Sequence, residues 1–468
     1  MGETIELPLW LVVLAGVLAL IALIDRLLTP SVRWFLHRRA NRAIDELNTR
    51  LKLKIRPFGT TGRRIVVDRV AHDPDVLAAA EEHAREEGMP VEVAMDMAER
   101  YAREIVPAFN AYIYFRIGTR LCRWLSTAIY RVRLGYSDTE ALAAVPADSS
   151  VVFVMNHRSN MDYVLMTYLA SASTALSYAV GEWARLPVLQ TLIRASGAYF
   201  IRRNARNRLY RRVLASYVRM ATESGVTQAI FLEGGLSHDG RLRPVRLGLL
   251  SYILSAPELA GRDTVFIPVG LNYDRVLEDR SLIVADSGQA PRTTAQKTAT
   301  TLAFLWKNLK LRLAGRWHRF GYASVSFGHP VSLNAFLAER GVKHWAAMDK
   351  NEQTGFTEDL GTRLMDDVGK LIPALPVSLV AVALLDAGKE PPDRLSLKAR
   401  VDALIDRLIE NGAHVHVPRA DRDYEVTVGL RMLTLRRIVT EADDGTLHIA
   451  PGDEPLVAYY ANAIRHLL

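Results

Sequence analysis

The sequence contains a single cysteine, Cys122, among 468 residues. One cysteine excludes an intramolecular disulfide framework, and its setting on an amphipathic helix predicts a packed thiol in a reducing compartment. The chain also has no internal repeat and no low-complexity tract, which excludes solenoid and propeller architectures. His414 and His416 have no further ligands at zinc-like spacing, so no metal site is expected.

The formal charge of the chain is +8, and its isoelectric point is near 9.5. A basic balance predicts anionic partners, of which nucleic acid, anionic lipid and phosphorylated substrates are the main kinds. Composition does not separate these three. Nucleic-acid surfaces usually interleave basic and aromatic residues on one element, and no such pattern is found, so no nucleic-acid partner is expected.

An uncharged apolar run covers residues 7–24, which is long enough to cross a hydrocarbon core of about 30 Å. Glu3 and Glu6 precede it, which favours an uncleaved anchor over a signal peptide. Basic residues follow it directly: Arg26, Arg33, Arg38, Arg39 and Arg42. The positive-inside rule then predicts a membrane protein whose remaining chain faces the cytoplasm. The alternative is a hairpin or a helix that lies in the membrane interface.

The remaining pattern predicts an α/β fold with a mixed, mainly parallel sheet flanked by helices. Residues 31 to about 136 look helical, with breaks near positions 57–62 and 88–90. A crossover helix is expected over 207–223, and a C-terminal helix over 397–409. We predict four regions: an anchor at 1–30, a helical domain at 31–141, a catalytic domain at 142–350 and a small C-terminal α/β domain at 351–468.

A catalytic pair is predicted where the apolar strand at residues 150–155 ends. His157 follows this strand, and Asp162 comes five positions later, before an apolar helix. The same spacing occurs at His344/Asp349, His416/Asp421 and His448/Asp453, so spacing alone decides nothing. Only His157 lies between a buried-looking strand and a helix, which favours it as a general base with Asp162 as its orienting partner.

Three further blocks place polar residues at strand ends. Residues 197–203 form a short strand ending in paired arginines, whose planar forks suit phosphate. Residues 229–246 combine a strand with a glycine-rich, basic loop, which is typical of an anion site. Residues 265–273 form another buried strand. Ligands bind beyond the carboxyl ends of parallel strands, so the four blocks are expected to converge.

In this order the four blocks resemble the membrane-bound glycerol-3-phosphate 1-O-acyltransferases of bacteria and mitochondria. The first motif corresponds to 157–162, the second to 197–203, the third to 233–235 with 240–242, and the fourth to 267–269. The C-terminal end, 459–468, is also similar to that family. One position departs from the pattern, because Leu236 stands where the third motif usually has arginine. Arg246 stands where lysine is common.

The resemblance implies transfer of a long-chain acyl group from acyl-CoA or acyl carrier protein to the 1-hydroxyl of glycerol 3-phosphate, at the membrane and with no other cofactor. His157 and Asp162 would be catalytic. The residues implied to bind substrate are Arg158, Ser159, Arg202, Arg203, Glu233, Gly234, Gly235, Ser237, Arg241, Arg246 and Pro268, with Arg243 a further cation for the phosphate. Dihydroxyacetone phosphate or lysophosphatidic acid remain alternative acceptors. An alternative from a different class of function also remains: the chain could be a membrane-anchored protein that binds anionic lipid or nucleic acid.

Overall fold

The computed structural model describes residues 62–468 except 112, 172–174, 181–192, 203–206, 257–261, 287–318, 343–344, 346–347 and 389. The apolar run at 7–24, Arg203 and His344 lie outside these residues. Among the helices that are described, none has the length and apolar character needed to cross a bilayer.

Fifteen of the described helices are labelled in chain order. They are α1 Arg63–Ala71, α2 Pro74–Glu87, α3 Val91–Ile105, α4 Thr119–Ile129, α5 Thr139–Ala144, α6 Met161–Ala170, α7 Arg208–Glu223, α8 Gly248–Leu254, α9 Asp279–Asp286, α10 Leu333–Glu339, α11 Lys350–Leu371, α12 Pro376–Asp386, α13 Arg394–Glu410, α14 Arg422–Leu435 and α15 Glu454–Asn462. A π-helical segment, Ile113–Gly118, precedes α4. The predicted crossover helix is confirmed as α7, for which the Asn207 side chain forms the N-cap.

The described strands form one large sheet and one hairpin. They are β1 Arg131–Ser137, β2 Ser150–Met155, β3 Ser177–Val180, β4 Tyr199–Phe200, β5 Gln228–Phe231, β6 Thr264–Tyr273, β7 Tyr322–Phe327, β8 Val331–Ser332, β9 Val439–Glu441 and β10 Leu447–Ile449. The large sheet has the order β1-β7-β6-β2-β5-β3-β4, and β8 also pairs with β6. Strands β6, β2, β5, β3 and β4 run parallel, whereas β7 and β8 are antiparallel to β6. The predicted mixed, mainly parallel sheet is confirmed.

Every residue of β2 is buried, because helices cover both faces of the sheet. Val151, Phe153 and Met155 point into a core that includes the C-terminal helices α12 to α15. Val152 and Val154 point into the opposite core, with α1 to α3, α7 and α11. This alternation follows from the two-residue period of a strand. The next side chain in the first series is that of His157.

The N-terminal helices are separated where the sequence predicts. Helix α2 starts after Asp73, whose side chain accepts a hydrogen bond from Asp75 N, and it ends at Gly88 with a φ of +64°. Such a φ favours glycine, because it has no Cβ. The predicted helical character of residues 131–136 is wrong: Arg131–Ser137 is strand β1, which pairs in parallel with β7. Pairing with β7 overrides the helical pattern, and the boundary predicted at 141/142 falls after this strand.

The C-terminal part is mainly helical, and its strands are limited to the hairpin of β9 and β10. Its buried side chains join the two cores of the sheet, those of α11 on one face and those of α12 to α15 on the other. Helix α11 lies so close to β6 that a Cβ on Gly270 would overlap the backbone of Leu371. The last helix, α15, brings Tyr459 and Tyr460 to the carboxyl end of β2.

Candidate active site

The site begins where β2 ends, in a turn between this strand and α6. Asn156 fixes the turn to β6: its Nδ2 donates to Leu271 O at 2.9 Å, and its Oδ1 accepts from Leu271 N at 2.8 Å. His157 comes next, and Asp162 lies in the first turn of α6. Both side chains are buried, with exposed fractions of 1% and 0%.

Four groups surround the carboxylate of Asp162. Its Oδ2 accepts from His157 Nδ1 at 2.9 Å, from Arg158 N at 2.8 Å and from Ser159 N at 3.1 Å. Its Oδ1 accepts from the hydroxyl of Tyr273 at 2.7 Å. An ionised carboxylate has about four acceptor positions, which matches these four donors. The predicted pairing of His157 with Asp162 is present in the structure.

This arrangement assigns the tautomer of the histidine. Because Asp162 is held as an acceptor by two backbone N–H groups and a phenol, its bond to His157 requires a proton on Nδ1. The basic lone pair of the neutral ring is then on Nε2. A carboxylate behind the ring also stabilises the imidazolium that forms when Nε2 takes a proton. The pair therefore has the chemistry of a general base.

Aromatic rings fix the plane of the imidazole. Phe231, the last residue of β5, stacks on His157 with 4.0 Å between ring centroids. Tyr163 of α6 meets the same ring edge-on at 5.6 Å. The ring therefore has little rotational freedom, and a base held in one orientation loses less entropy on reaction.

The side chain of Glu233 connects the turn that carries His157 to the loop of the third motif. Its Oε1 accepts from His157 N at 2.7 Å, and its Oε2 accepts from Arg243 N at 2.9 Å. Burial raises the pKa of Glu233 to about 7, although both hydrogen bonds oppose the rise. Glu233 was expected to bind substrate, but the structure places both of its oxygens on the protein backbone, where they join the first and third motifs.

Glu278 is a third carboxylate at this turn. Unlike Asp162 and Glu233, it was not predicted from the sequence. Its Oε2 accepts from Ser159 Oγ at 2.8 Å, and its Oε1 accepts from Asn160 Nδ2 at 3.0 Å. Burial raises the pKa of Glu278. This residue follows β6 by five positions and comes to the turn only through the fold. The predicted substrate ligand Ser159 is therefore held by Glu278, and its Oγ also accepts from Met161 N.

Arg158 carries a buried positive charge beside the pair, with 3% of its surface exposed. Its Nη1 donates to Gly240 O at 2.5 Å, and its guanidinium lies 4.7 Å from the ring centroid of Tyr459. Within the described part of the chain, its Nε and Nη2 are buried without hydrogen-bond partners. A buried arginine with two unused donors and no carboxylate on its guanidinium is suited to an anionic ligand.

The second motif is not adjacent to His157. Arg202 follows β4, which lies three strands from β2, or about 14 Å at the usual strand spacing. Its guanidinium binds Glu104 of α3 through Nε at 3.0 Å and Nη2 at 2.6 Å. The partly exposed Arg202 thus joins the N-terminal helices to the sheet in this structure.

The glycines of the third motif shape its loop. Gly234 has a φ of +67°, and a Cβ there would lie 2.9 Å from Arg246 Cγ. Gly235 is buried. Ser237 donates its N–H to His157 O at 3.0 Å and its hydroxyl to Arg241 O at 2.6 Å. These residues hold the loop against the turn that carries His157.

The cations of this loop differ in exposure. Arg241 and Arg246 are exposed, and Arg241 Nε lies 3.8 Å from Asp239. Arg243 Nη1 donates to Leu236 O at 3.2 Å, and the Leu236 side chain packs on the core. The residue that departs from the family pattern therefore contributes an apolar contact at this place.

The remaining predicted residues lie farther away or form no pair. Pro268 is buried within β6, opposite Val154 of β2. His416 meets the ring of Tyr322, and His448 Nε2 bonds the hydroxyl of Thr446 at 2.8 Å. Neither ring bonds the aspartate five positions later, unlike His157. In the described residues no group of three metal-ligating side chains is found.

Family models match two long parts of the chain. Residues 137–272 match the model described as Acyltransferase, and residues 305–468 match the model described as the glycerol-3-phosphate acyltransferase C-terminal region. The first match includes His157, Asp162 and β6 as far as Asn272, and the second includes Tyr459. Both parts of the chain thus resemble acyltransferases, and the resemblance to the glycerol-3-phosphate acyltransferase family is confirmed.

Similar proteins from bacteria are named glycerol-3-phosphate acyltransferase. The glycerol-3-phosphate acyltransferase of Ectopseudomonas mendocina is 29% identical over 420 residues, which are 86% of this chain and 49% of that protein. That of Pseudomonas putida KT2440 is 28% identical over 419 residues, with the same coverage. The chain spans about half the length of these relatives. A solved 1-acyl-sn-glycerophosphate acyltransferase from Thermotoga maritima superposes with a TM-score of 0.31 and 16% identity, covering 54% of this chain and 77% of that chain.

Proposed function

We propose that this protein transfers a long-chain acyl group from a thioester to the 1-hydroxyl of glycerol 3-phosphate, which gives lysophosphatidic acid. The observation that carries the proposal is the buried His157–Asp162 pair, whose carboxylate accepts four hydrogen bonds. The family models and the names of the relatives support the choice of acceptor.

In the proposed reaction the lone pair on His157 Nε2 takes the proton of the 1-hydroxyl as its oxygen attacks the thioester carbonyl. A C–O bond forms, and the C–S bond of the resulting tetrahedral species breaks. The imidazolium then returns its proton to the leaving thiolate, so no acyl group is held on the enzyme. Asp162 stabilises the charged ring between these steps, and general base catalysis of this kind contributes about 10² to 10⁴ in rate.

The phosphate of the acceptor needs a cation near the pair. Arg158 is the best placed, because it follows His157 directly and its Nε and Nη2 are unused by described residues. The exposed Arg241 and Arg246 are further cations of the same loop. We infer that Arg158 forms the inner contact and that the loop arginines attract the anion from solution.

The donor and the location are part of the same proposal. Acyl-CoA and acyl carrier protein both present a thioester, and both are cytoplasmic. The apolar run at 7–24 and the arginines after it favour attachment to the inner membrane, with the catalytic part on the cytoplasmic side. An amphiphilic donor and product fit such a location.

The test measures thiol release from palmitoyl-CoA by the full chain in detergent, with glycerol 3-phosphate, dihydroxyacetone phosphate or lysophosphatidic acid as acceptor. We expect the highest kcat/KM with glycerol 3-phosphate and a product that mass spectrometry identifies as lysophosphatidic acid. Release that no acceptor stimulates would reject the enzyme function, and a clear preference for another acceptor would reject the substrate.

Histidine variants test the site. His157→Ala should lower kcat at least 10³-fold without changing the melting temperature by more than a few degrees, since base and orientation are lost together. His448→Ala is the matched control, because this exposed ring belongs to a pair of the same spacing but bonds only Thr446. Asp162→Asn should lower kcat by a similar factor, because an amide does not stabilise the imidazolium.

A further inference from the structure

A group of arginine-lined clefts lies on the β1 side of the sheet, away from the motif loops. Three adjoining clefts share Arg131, and the largest holds about 340 Å³. We call the three clefts together the arginine cleft. Its cationic lining residues are Arg131, Arg133, Arg319, Arg419 and Arg431. The chain supplies them from β1, from the segment before β7, from the turn after Val417 and from α14.

The described lining of the arginine cleft carries only positive charge, and the buried carboxyl of Asp274 interacts with Arg131 from outside that lining. No aspartate or glutamate is among the described residues that line the three clefts. None of the five arginines forms an ion pair with a described carboxylate. A basic cleft on α7 differs, since its Arg208 binds both Glu82 at 2.9 Å and Glu86 at 3.1 Å. Clustered cations without counter-ions repel one another, and a bound anion relieves the repulsion.

Tyrosine rings contact three of these guanidinium groups. Arg419 lies 4.3 Å from the ring centroid of Tyr424, and Arg131 lies 5.7 Å from that of Tyr322. His416 lines the same cleft, and its Nε2 is buried with no hydrogen-bond partner in the described ranges. Planar forks held on aromatic faces lose less entropy when they bind a phosphate, and aromatic faces also accept a nucleobase.

Strand registers place the arginine cleft on the active-site edge of the sheet. Strand β6 runs parallel to β2, so Tyr273 lies at the edge where His157 follows β2. Tyr273 is opposite Ala323 of β7, and Ala323 is opposite Val132 of β1. Arg131 therefore lies at this edge, three strands from β2, which is about 14 Å at the usual spacing.

We propose that the arginine cleft binds the nucleotide end of coenzyme A, with its diphosphate and 3′-phosphate, while the thioester lies at His157. This inference rests on the proposed acyl transfer. The pantetheine arm has a backbone about as long as that of four residues, which spans about 14 Å when extended. Several phosphates on one small molecule match five clustered arginines, none in a salt bridge with a described carboxylate, better than a single lipid headgroup does. A concave cleft also suits a nucleotide better than the convex surface of a carrier protein.

The experiment compares donors that differ only in the nucleotide end, which includes all of the phosphates. The full chain is assayed with palmitoyl-CoA and with S-palmitoyl-pantetheine, which has no phosphate, at saturating glycerol 3-phosphate. Arg131→Gln/Arg431→Gln should raise the KM for palmitoyl-CoA at least tenfold, as expected for lost charge-assisted hydrogen bonds, and should leave that for S-palmitoyl-pantetheine unchanged. Adenosine 3′,5′-bisphosphate should inhibit the wild type competitively and the double variant much less. Arg212→Gln, an exposed arginine in the α7 cleft, is the control.

Other outcomes overturn the inference in distinct ways. An equal rise in KM for both thioesters, together with weaker flotation with anionic vesicles, would assign the arginine cleft to lipid headgroups. Palmitoyl carrier protein is assayed in parallel, and a rise in KM confined to this donor would assign the arginine cleft to the carrier protein. If the wild type transfers no acyl group, the proposed function fails, and equilibrium dialysis with adenosine 3′,5′-bisphosphate still decides the cleft. Equal binding of adenosine 3′,5′-bisphosphate by the wild type and the double variant would then reject the arginine cleft as its binding site.

Discussion

Tyr273 and Asp162 are joined by a 2.7 Å hydrogen bond, although 111 residues separate them in the chain. Tyr273 is the last residue of β6, and Asp162 lies at the start of α6. Burial, followed by the charge of Asp162, raises the pKa of Tyr273 well above its ordinary value, so the phenol remains a donor. The strand beside β2 thus fixes the oxygen of Asp162 that does not face His157.

Replacing Tyr273 by Phe should therefore weaken the base without removing it. The loss of one hydrogen bond to a carboxylate costs about 1.5 kcal/mol, and we expect kcat to fall about tenfold with little change in either KM. Tyr130→Phe is the matched control, since this neighbouring ring lies 5.3 Å from Tyr273 but donates to Arg275 O. Equal losses in the two variants would indicate a packing effect.

Glu233 should make stability depend on pH. Burial raises its pKa from 4.5 to about 7, so the folded state binds the proton more tightly than the unfolded state. Its stabilising contribution is then complete below about pH 4.5 and is lost as the pH rises through 7. At ~1.4 kcal/mol for each pH unit between these values, the loss is about 3 kcal/mol.

The measurement compares the unfolding free energy of the wild type and of Glu233→Gln from pH 4.5 to 8. Glutamine does not titrate, and its amide nitrogen faces a backbone N–H, so the variant should be less stable at low pH. The difference should narrow as the pH rises. Burial also raises the pKa values of Asp274 and Glu425. Both residues remain in the two proteins, so their contributions to the pH dependence cancel in the difference. A difference that widened with pH would contradict the assigned direction.

The structure distinguishes Arg158 from Arg241 as phosphate ligands. Arg158→Gln should raise the glycerol 3-phosphate KM by about ten- to a hundredfold, because a buried charge-assisted hydrogen bond contributes roughly 1.5 to 3 kcal/mol. Arg241→Gln should raise it less than about threefold, since its side chain is 69% exposed and water screens the charge. The donor KM, measured in parallel, should not move in either variant. A larger rise in the glycerol 3-phosphate KM for Arg241→Gln than for Arg158→Gln would place the acceptor at the surface loop.

Gly240 should tolerate no side chain. Its φ is +87°, and a Cβ would overlap the backbone oxygen of Tyr459. Gly240→Ala should lower the unfolding free energy by about 3 kcal/mol or more, through backbone strain and overpacking together. Gly248→Ala is the control: no atom lies within 4 Å of its added methyl group, and helix propensity should stabilise it by up to about 1 kcal/mol. Thermal unfolding of both variants provides the comparison.

Local patterns were enough to predict the central part of the site. The buried strand, the five-residue interval and the following helix identify His157 and Asp162, because one turn connects them. Helix α7 was likewise predictable from its capping Asn207 and its apolar face. The parallel strands follow from their apolar composition, which is typical of a sheet covered on both faces.

Contacts between distant residues were not predictable in this way. Glu278 bonds Ser159 across 119 positions, and no spacing in the sequence marks it as part of the turn. The same holds for Glu233, which looks like a loop ligand but accepts from the backbone of His157. Strand β1 was missed because its partner, β7, lies nearly two hundred residues later, and only that pairing favours an extended chain over a helix.

Arg158 meets Tyr459 only after 301 further residues have been made. At synthesis rates of roughly 5 to 20 residues per second, this interval lasts roughly 15 to 60 s. During that time the nascent chain already carries His157 and Asp162, but the aromatic wall that holds the arginine is absent. Under the role proposed for Arg158, acceptor binding would begin only when the helix containing Tyr459 has docked, which would tie the onset of activity to completion of the C-terminal region.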